Sequence, residues 1–192
     1  MIYTNPVIYR YICTAGSSLL TLPLDIVQVK IISTDNIVID VAEFKWLLLF
    51  PLILTSQNIV YSRLSCIKNI ICRGALAGAI TSPIYAYLET RKMYSRLHIF
   101  PNYNIYARII FLRQALLFAI LYKIGSLNIP HATFLSALIA NAVGFPLKMF
   151  ALKNSYPIFE INKKTIKIVG LLEIIKTSIS DGLALLLINH IS

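Results

Sequence analysis

Three prolines divide this chain almost evenly. Pro23, Pro83 and Pro146 stand 60 and 63 residues apart. Each follows a long apolar run and precedes polar or charged residues, as in Pro23-Leu-Asp-Ile-Val-Gln-Val-Lys30, Pro83-Ile-Tyr-Ala-Tyr-Leu-Glu-Thr-Arg91 and Pro146-Leu-Lys-Met-Phe-Ala-Leu-Lys153. Proline removes a backbone donor and bends a helix. A period of about sixty residues holds two helices of membrane length, at roughly 20 residues per crossing, with their connections. The spacing predicts three copies of a helical hairpin in one domain, 1–64, 65–126 and 127–192.

Composition places these hairpins in lipid. The chain has 192 residues, 57% hydrophobic and 14% charged, against about a quarter charged in soluble domains. Six apolar segments predict helices at about Pro6 to Lys30, Phe44 to Leu64, Ile67 to Lys92, Tyr103 to Ile124, Pro130 to Leu152 and Ile166 to His190. They exceed strand length and lack alternation. The expected fold class is an all-α membrane protein with six transmembrane helices, paired as three hairpins around a central cavity.

The net charge of +10 does not point to nucleic acid, because the basic residues lie between apolar segments rather than on one polar face. Lys30, Lys45, Arg91, Lys92, Arg96, Lys153, Lys163, Lys164 and Lys167 fall on the side of the longer connections. Arg10, Arg63, Lys68, Arg73 and Lys123 fall on the other. The first side should face the cytosol-equivalent compartment. No cleavable secretory signal is read at the N-terminus, so targeting is expected to be internal. Cys13, Cys66 and Cys72 have neither disulfide nor zinc spacing. No nucleophile–base pair, phosphate loop or metal cluster is read, so the chain is expected not to be an enzyme and to need no cofactor.

Polar residues recur at helical spacing. Thr14, Ser17, Ser18, Thr21, Asp25 and Gln28 share a face of the first helix. Gly74, Gly78, Thr81, Tyr85 and Glu89 do so on the third, Asn141 and Lys148 on the fifth, and Glu173, Lys176, Thr177 and Ser180 on the sixth. In lipid such stripes face the bundle interior or water. Close packing is the ordinary alternative for the small residues, since Gly74-xxx-Gly78 and Ser136-xxx-Ala140-xxx-Gly144 are seams that let helices approach. Asp25, Lys148 and Lys176 point instead to a hydrated pathway. For Lys176, neutralisation by Glu173, three residues earlier, competes with that reading.

Three hairpins with a proline–acid–base signature resemble the mitochondrial carrier family, whose motif is Pro-x-Asp/Glu-x-x-Lys/Arg near the matrix end of each odd helix. Pro23, Asp25 and Lys30 match it, with Gln28 in place of the first base. The Gly-Ala-Leu-Ala-Gly run of residues 74–78 before Pro83 resembles the family's second repeat. The acid position holds Asp25, Tyr85 and Lys148 in the three repeats, and the base position Gln28, Leu88 and Ala151. The family's ring of three ion pairs is therefore not available, and Asp25 with Lys148, or Glu89 and Arg91, are the substitutes. The aromatic–acid–base motif of the even helices is also degenerate: Tyr61-Ser62-Arg63, Leu121-Tyr122-Lys123 and Ile188-Asn189-His190 carry no acid.

The resemblance implies substrate contacts halfway along the even helices, at Lys176, at Ile109 with Arg108 and Arg113 beside it, and at Leu48. It implies alternating-access transport of a small anionic metabolite, such as a nucleotide or phosphorylated compound. It further implies a monomer in a bilayer, cardiolipin included, in the inner membrane of a mitochondrion or of a mitochondrion-derived organelle. The alternative is a carrier-fold protein that has lost transport and acts as a membrane adaptor or as an organelle-shaping or import factor.

Overall fold

The computed structural model describes residues 6–32, 44–97, 101–127, 131–156 and 163–189. Six helices fill these segments: α1 (Pro6–Ile32), α2 (Phe44–Arg63), α3 (Ile70–Leu97), α4 (Tyr103–Gly125), α5 (Ala132–Ser155) and α6 (Lys163–Asn189). No strand occurs among the described residues. The helices match the six expected apolar segments. The difference lies in the connections: α3 continues to Leu97 and α6 begins at Lys163, so helix replaces part of the expected loops.

The prolines lie inside continuous helices. Pro23, Pro83 and Pro146 are interior to α1, α3 and α5, and Pro51 is interior to α2. Pro83 has no N–H to give the carbonyl of Ala79, one turn earlier. The hydroxyl of Ser82 donates to that carbonyl instead, at 2.8 Å. Side chains also start two of the helices. Asn69 Oδ1 accepts the Ile71 and Cys72 amides ahead of α3, and Asn102 Oδ1 accepts the Ile105 amide at the start of α4. The Asn102 amide donates to the Ser155 carbonyl at 2.9 Å, tying the start of α4 to the end of α5.

Each helix packs on its chain neighbours, and α1 packs on α6. The six therefore close into a ring, and no pair across it is in contact among the described residues. The α3–α4 seam is closest. A Cβ at Gly74 would lie 2.5 Å from the Phe118 carbonyl oxygen, and one at Gly78 would lie 2.7 Å from the Gln114 carbonyl carbon. Both glycines thus serve close packing rather than lining a passage. Ser136, Ala140 and Gly144 are buried on α5, with Leu117 and Arg113 of α4 against Gly144. Across the α5–α6 contact, the rings of Phe145 and Phe134 sit in notches at Gly170 and Gly182.

The burial pattern is inverted relative to a soluble bundle. Leu76, Ile80, Ile84 and Tyr87 form an exposed stripe on α3; Ile105, Leu112 and Leu116 do so on α4, and Ile168, Leu171 and Ile175 on α6. The interior buries Thr14, Ser17, Gln57, Asn58, Glu89, Arg113, Gln114, Asn141 and Glu173. Water would reward the opposite arrangement. Two helices, α4 and α5, are long and apolar enough to cross a membrane by length and composition. All six have at least the 20 residues of α2, a length of about 30 Å.

Candidate functional site

The buried charges gather inside the ring, on α3 to α6. Lys148, two residues beyond Pro146 on α5, reaches both ways. Its Nζ lies 2.8 Å from Glu89 Oε1 on α3 and also bonds Glu173 Oε1 on α6. Glu173 Oε2 takes Lys176 Nζ at 2.8 Å, one turn along α6. Glu89 Oε2 accepts the Tyr106 hydroxyl of α4 at 2.6 Å. Lys176, Glu173, Lys148, Glu89 and Tyr106 thus form one continuous chain across four helices. α3 and α5 are not themselves in contact, so the length of the lysine side chain carries this link across the ring.

Arg113 stands beside this chain and differs from it. It is 3% exposed. Its Nε donates to the Gly144 carbonyl at 3.3 Å, and its guanidinium lies 5.8 Å from the centre of the Tyr85 ring. Glu89, Glu173 and Asp181 are within its electrostatic reach, yet none forms an ion pair with it among the described residues. Its two Nη groups have no hydrogen-bond partner among those residues either. The carboxylates are engaged elsewhere: Glu89 and Glu173 as above, and Asp181 by the Asn141 amide at 3.1 Å. What remains is a buried planar donor fork, the group best suited to a carboxylate or phosphate.

The expected site residues divide accordingly. Lys148, Glu89 and Lys176 come together, and Arg113 lies next to them. Lys176 is paired with Glu173, the competing reading for that residue. Tyr85 is half-buried, with its ring against Phe50 at 6.1 Å and near Arg113. Ile109 is part-buried and packs on the apolar cluster of Ile110, Tyr106, Ala151 and Tyr156.

Leu48, Arg108 and Arg91 stand apart from these residues. Leu48 is 57% exposed in line with Leu52 on the outer face of α2. Arg108 is exposed among Ile105, Phe111 and Leu112. Arg91 is exposed and lies over Tyr87 on the outer stripe of α3, at 5.4 Å. All three stand on exposed faces of their helices, apart from the buried charged chain. Successive helix residues differ by about 100° in direction, so an alignment error of one or two positions turns an inward residue outward. Pro23, Pro83 and Pro146 are exposed as well, marking the signature without entering the site. Asp25, Gln28 and Lys30 lie on α1, and their side chains fall outside the described ones.

The sequence reading missed Tyr106, the Asn141–Asp181 pair as a unit, and Gln57 with Asn58. Asp181 carried a signal: it is an acid inside α6, about two turns beyond Glu173. No family model, no curated protein and no solved structure matches this chain. The carrier likeness therefore rests on the residues already named.

Proposed function

We propose that this chain is a membrane-embedded carrier of a small anionic solute, held here in a closed arrangement. The observation that carries the reading is Arg113, a buried guanidinium whose Nη groups have no partner among the described residues of a closed helical ring. The solute class follows from the donor set. Lys148 and Lys176 are neutralised by Glu89 and Glu173, so neither lysine adds a cationic contact beside Arg113. A solute presenting one carboxylate or phosphate to Arg113 fits better than one needing several cations.

The charged chain serves as the gate in this reading. Lys148 occupies the acid position of the third repeat and Glu89 lies one residue past the base position of the second, so the pair has the polarity of the carrier gate reversed. It closes the ring between helices that do not otherwise touch. An anion on Arg113 would compete electrostatically with Glu89 and Glu173 and so favour separation of α3, α5 and α6. Binding energy that differs between two arrangements is what shifts a population between them. Residence in the mitochondrial inner membrane belongs to the same proposal and is supported by the Pro23–Asp25–Lys30 resemblance.

Uptake into proteoliposomes tests it. Arg113→Ala should lower uptake of the transported anion by about 100-fold, because a bidentate charge-assisted contact contributes about 1.5–3 kcal/mol and each 1.4 kcal/mol is about tenfold. Arg108→Ala, on the outer face, should leave uptake within about twofold. Equal loss in both variants, or uptake indifferent to Arg113, refutes the site. Silence of the intact chain across carboxylates, phosphates and nucleotides favours the non-transporting adaptor.

A further inference from the structure

The end of the ring formed by the C-termini of α2 and α4 and the start of α3 is built on a different principle. Gln57 and Asn58 are 2% and 7% exposed, and neither Gln57 Nε2 nor Asn58 Nδ2 has a hydrogen-bond partner among the described residues. Both lie away from the outer Leu48–Leu52 stripe of α2. Asn58 is held in place, with Oδ1 accepting the Tyr122 hydroxyl of α4 at 2.5 Å. Turning this amide over would satisfy its nitrogen through the hydroxyl and strand the oxygen, so one atom stays unpaired in either orientation. Burying unpaired amides costs stability. Two adjacent ones on a single helix call for an acceptor.

The surroundings specify its charge. Tyr61, one turn beyond Gln57, stacks on Tyr122 with centroids 3.6 Å apart. Arg73 of α3 lies over the Tyr61 ring at 4.0 Å, and its Nε donates to the Tyr61 carbonyl at 2.7 Å. The Arg73 Nη groups have no hydrogen-bond partner among the described residues. No acidic residue occurs between Phe44 and Leu88 or between Thr90 and Phe159, so α2, α4 and this end of α3 carry none. Arg63, Lys68 and Lys123 add further positive charge at the same end. The field there selects an anion, and the amide donors select an oxygen.

We propose that Gln57, Asn58 and Arg73 form a second oxyanion site, which takes a carboxylate or phosphate oxygen of the solute at the mouth of the ring opposite Lys148. It rests on the reading of the ring as a solute path. Nine residues of α4 separate Tyr122 from Arg113, roughly 13 Å along the axis. A small anion cannot span both sites, so this one is a staging point from which it passes inward. The amides are neutral and the one cation of the site, Arg73, is only part-buried, so the oxygen is released readily.

The test uses the full chain in zwitterionic nanodiscs, with the side-chain amides labelled with nitrogen-15 and inorganic phosphate and acetate as probes. The Gln57 and Asn58 amide resonances, assigned by substitution, should shift saturably with both probes, and should still do so in Arg113→Ala. The near-isosteric Gln57→Glu should weaken that response at least tenfold, as should the uncharged Gln57→Leu. Resonances that stay fixed while Arg113-dependent uptake persists overturn this site and leave the transport reading standing. Shifts that appear with anionic lipid alone and ignore both probes overturn it too, by assigning the site to a headgroup. Saturable shifts in a chain whose uptake is indifferent to Arg113 uphold the site and remove the transport reading instead.

Discussion

Lys148 shows how one side chain sets the state of the molecule. It bridges two carboxylates, Glu89 of α3 and Glu173 of α6, and its side chain is 11% exposed. Removing one partner of a buried pair costs about 3–5 kcal/mol, since the remaining charge loses its compensation. We expect Lys148→Ala to destabilise the detergent-solubilised protein by about that much in thermal unfolding. Glu89→Gln should cost less, because Glu173 still holds the lysine. The reverse order would mean that the Glu89 arm, not the Glu173 arm, holds the cluster. At this scale the sequence was read with partial success. Lys148 and Arg113 stood out as charges on apolar helices, and Glu89 as a displaced partner. That Lys148 holds Glu89 and Glu173 together was not legible, because side-chain reach across a ring depends on helix separation rather than on spacing along the chain.

Among the elements, the α3–α4 hairpin is the most constrained, and its glycines are not equivalent to others. A Cβ at Gly78 would strike the backbone of Gln114, which cannot move without moving α4. Gly16 has nothing within 4 Å of its would-be Cβ. Gly78→Ala should therefore lower the unfolding temperature by several degrees, in line with the roughly 1–3 kcal/mol of an overpacked core. Gly16→Ala should leave it unchanged or raise it, since alanine is favoured in a helix by about 1 kcal/mol. Similar losses in both would mean that general glycine flexibility, not the seam, is at stake. The Gly-xxx-Gly spacing was visible in the sequence. Its partner was not, because a small-residue stripe fits a neighbouring helix and a narrow passage equally well.

For the whole molecule, the inverted burial and the closed ring make sidedness the decisive property. Cys66, exposed in the turn between α2 and α3, and Asn102, before α4, lie at opposite ends of α3. A membrane-impermeant maleimide should label Cys66 from one side of sealed vesicles. In a background with Cys66 and Cys72 changed to serine, it should label Asn102→Cys from the other. Cys13, buried in α1, should resist until the protein is unfolded. Labelling of both positions from one side would rule out six crossings.

The amino-acid sequence by itself determined the six helices and their order, because each apolar run is too long for a strand and lacks a strand's alternation. The basic residues expected between the segments stand mostly in the end turns of the helices, and only Lys68 lies between two of them. Only the tertiary structure decided which faces meet. It put Leu48, Arg91 and Arg108 on exposed faces, paired Lys176 with Glu173, and left Arg113, Gln57 and Asn58 with donors that have no partner among the described residues. The reason is rotational. Membership of a helix needs only composition over many residues, whereas facing inward needs the phase of each residue within a turn of 3.6, and the contacts between helices set that phase.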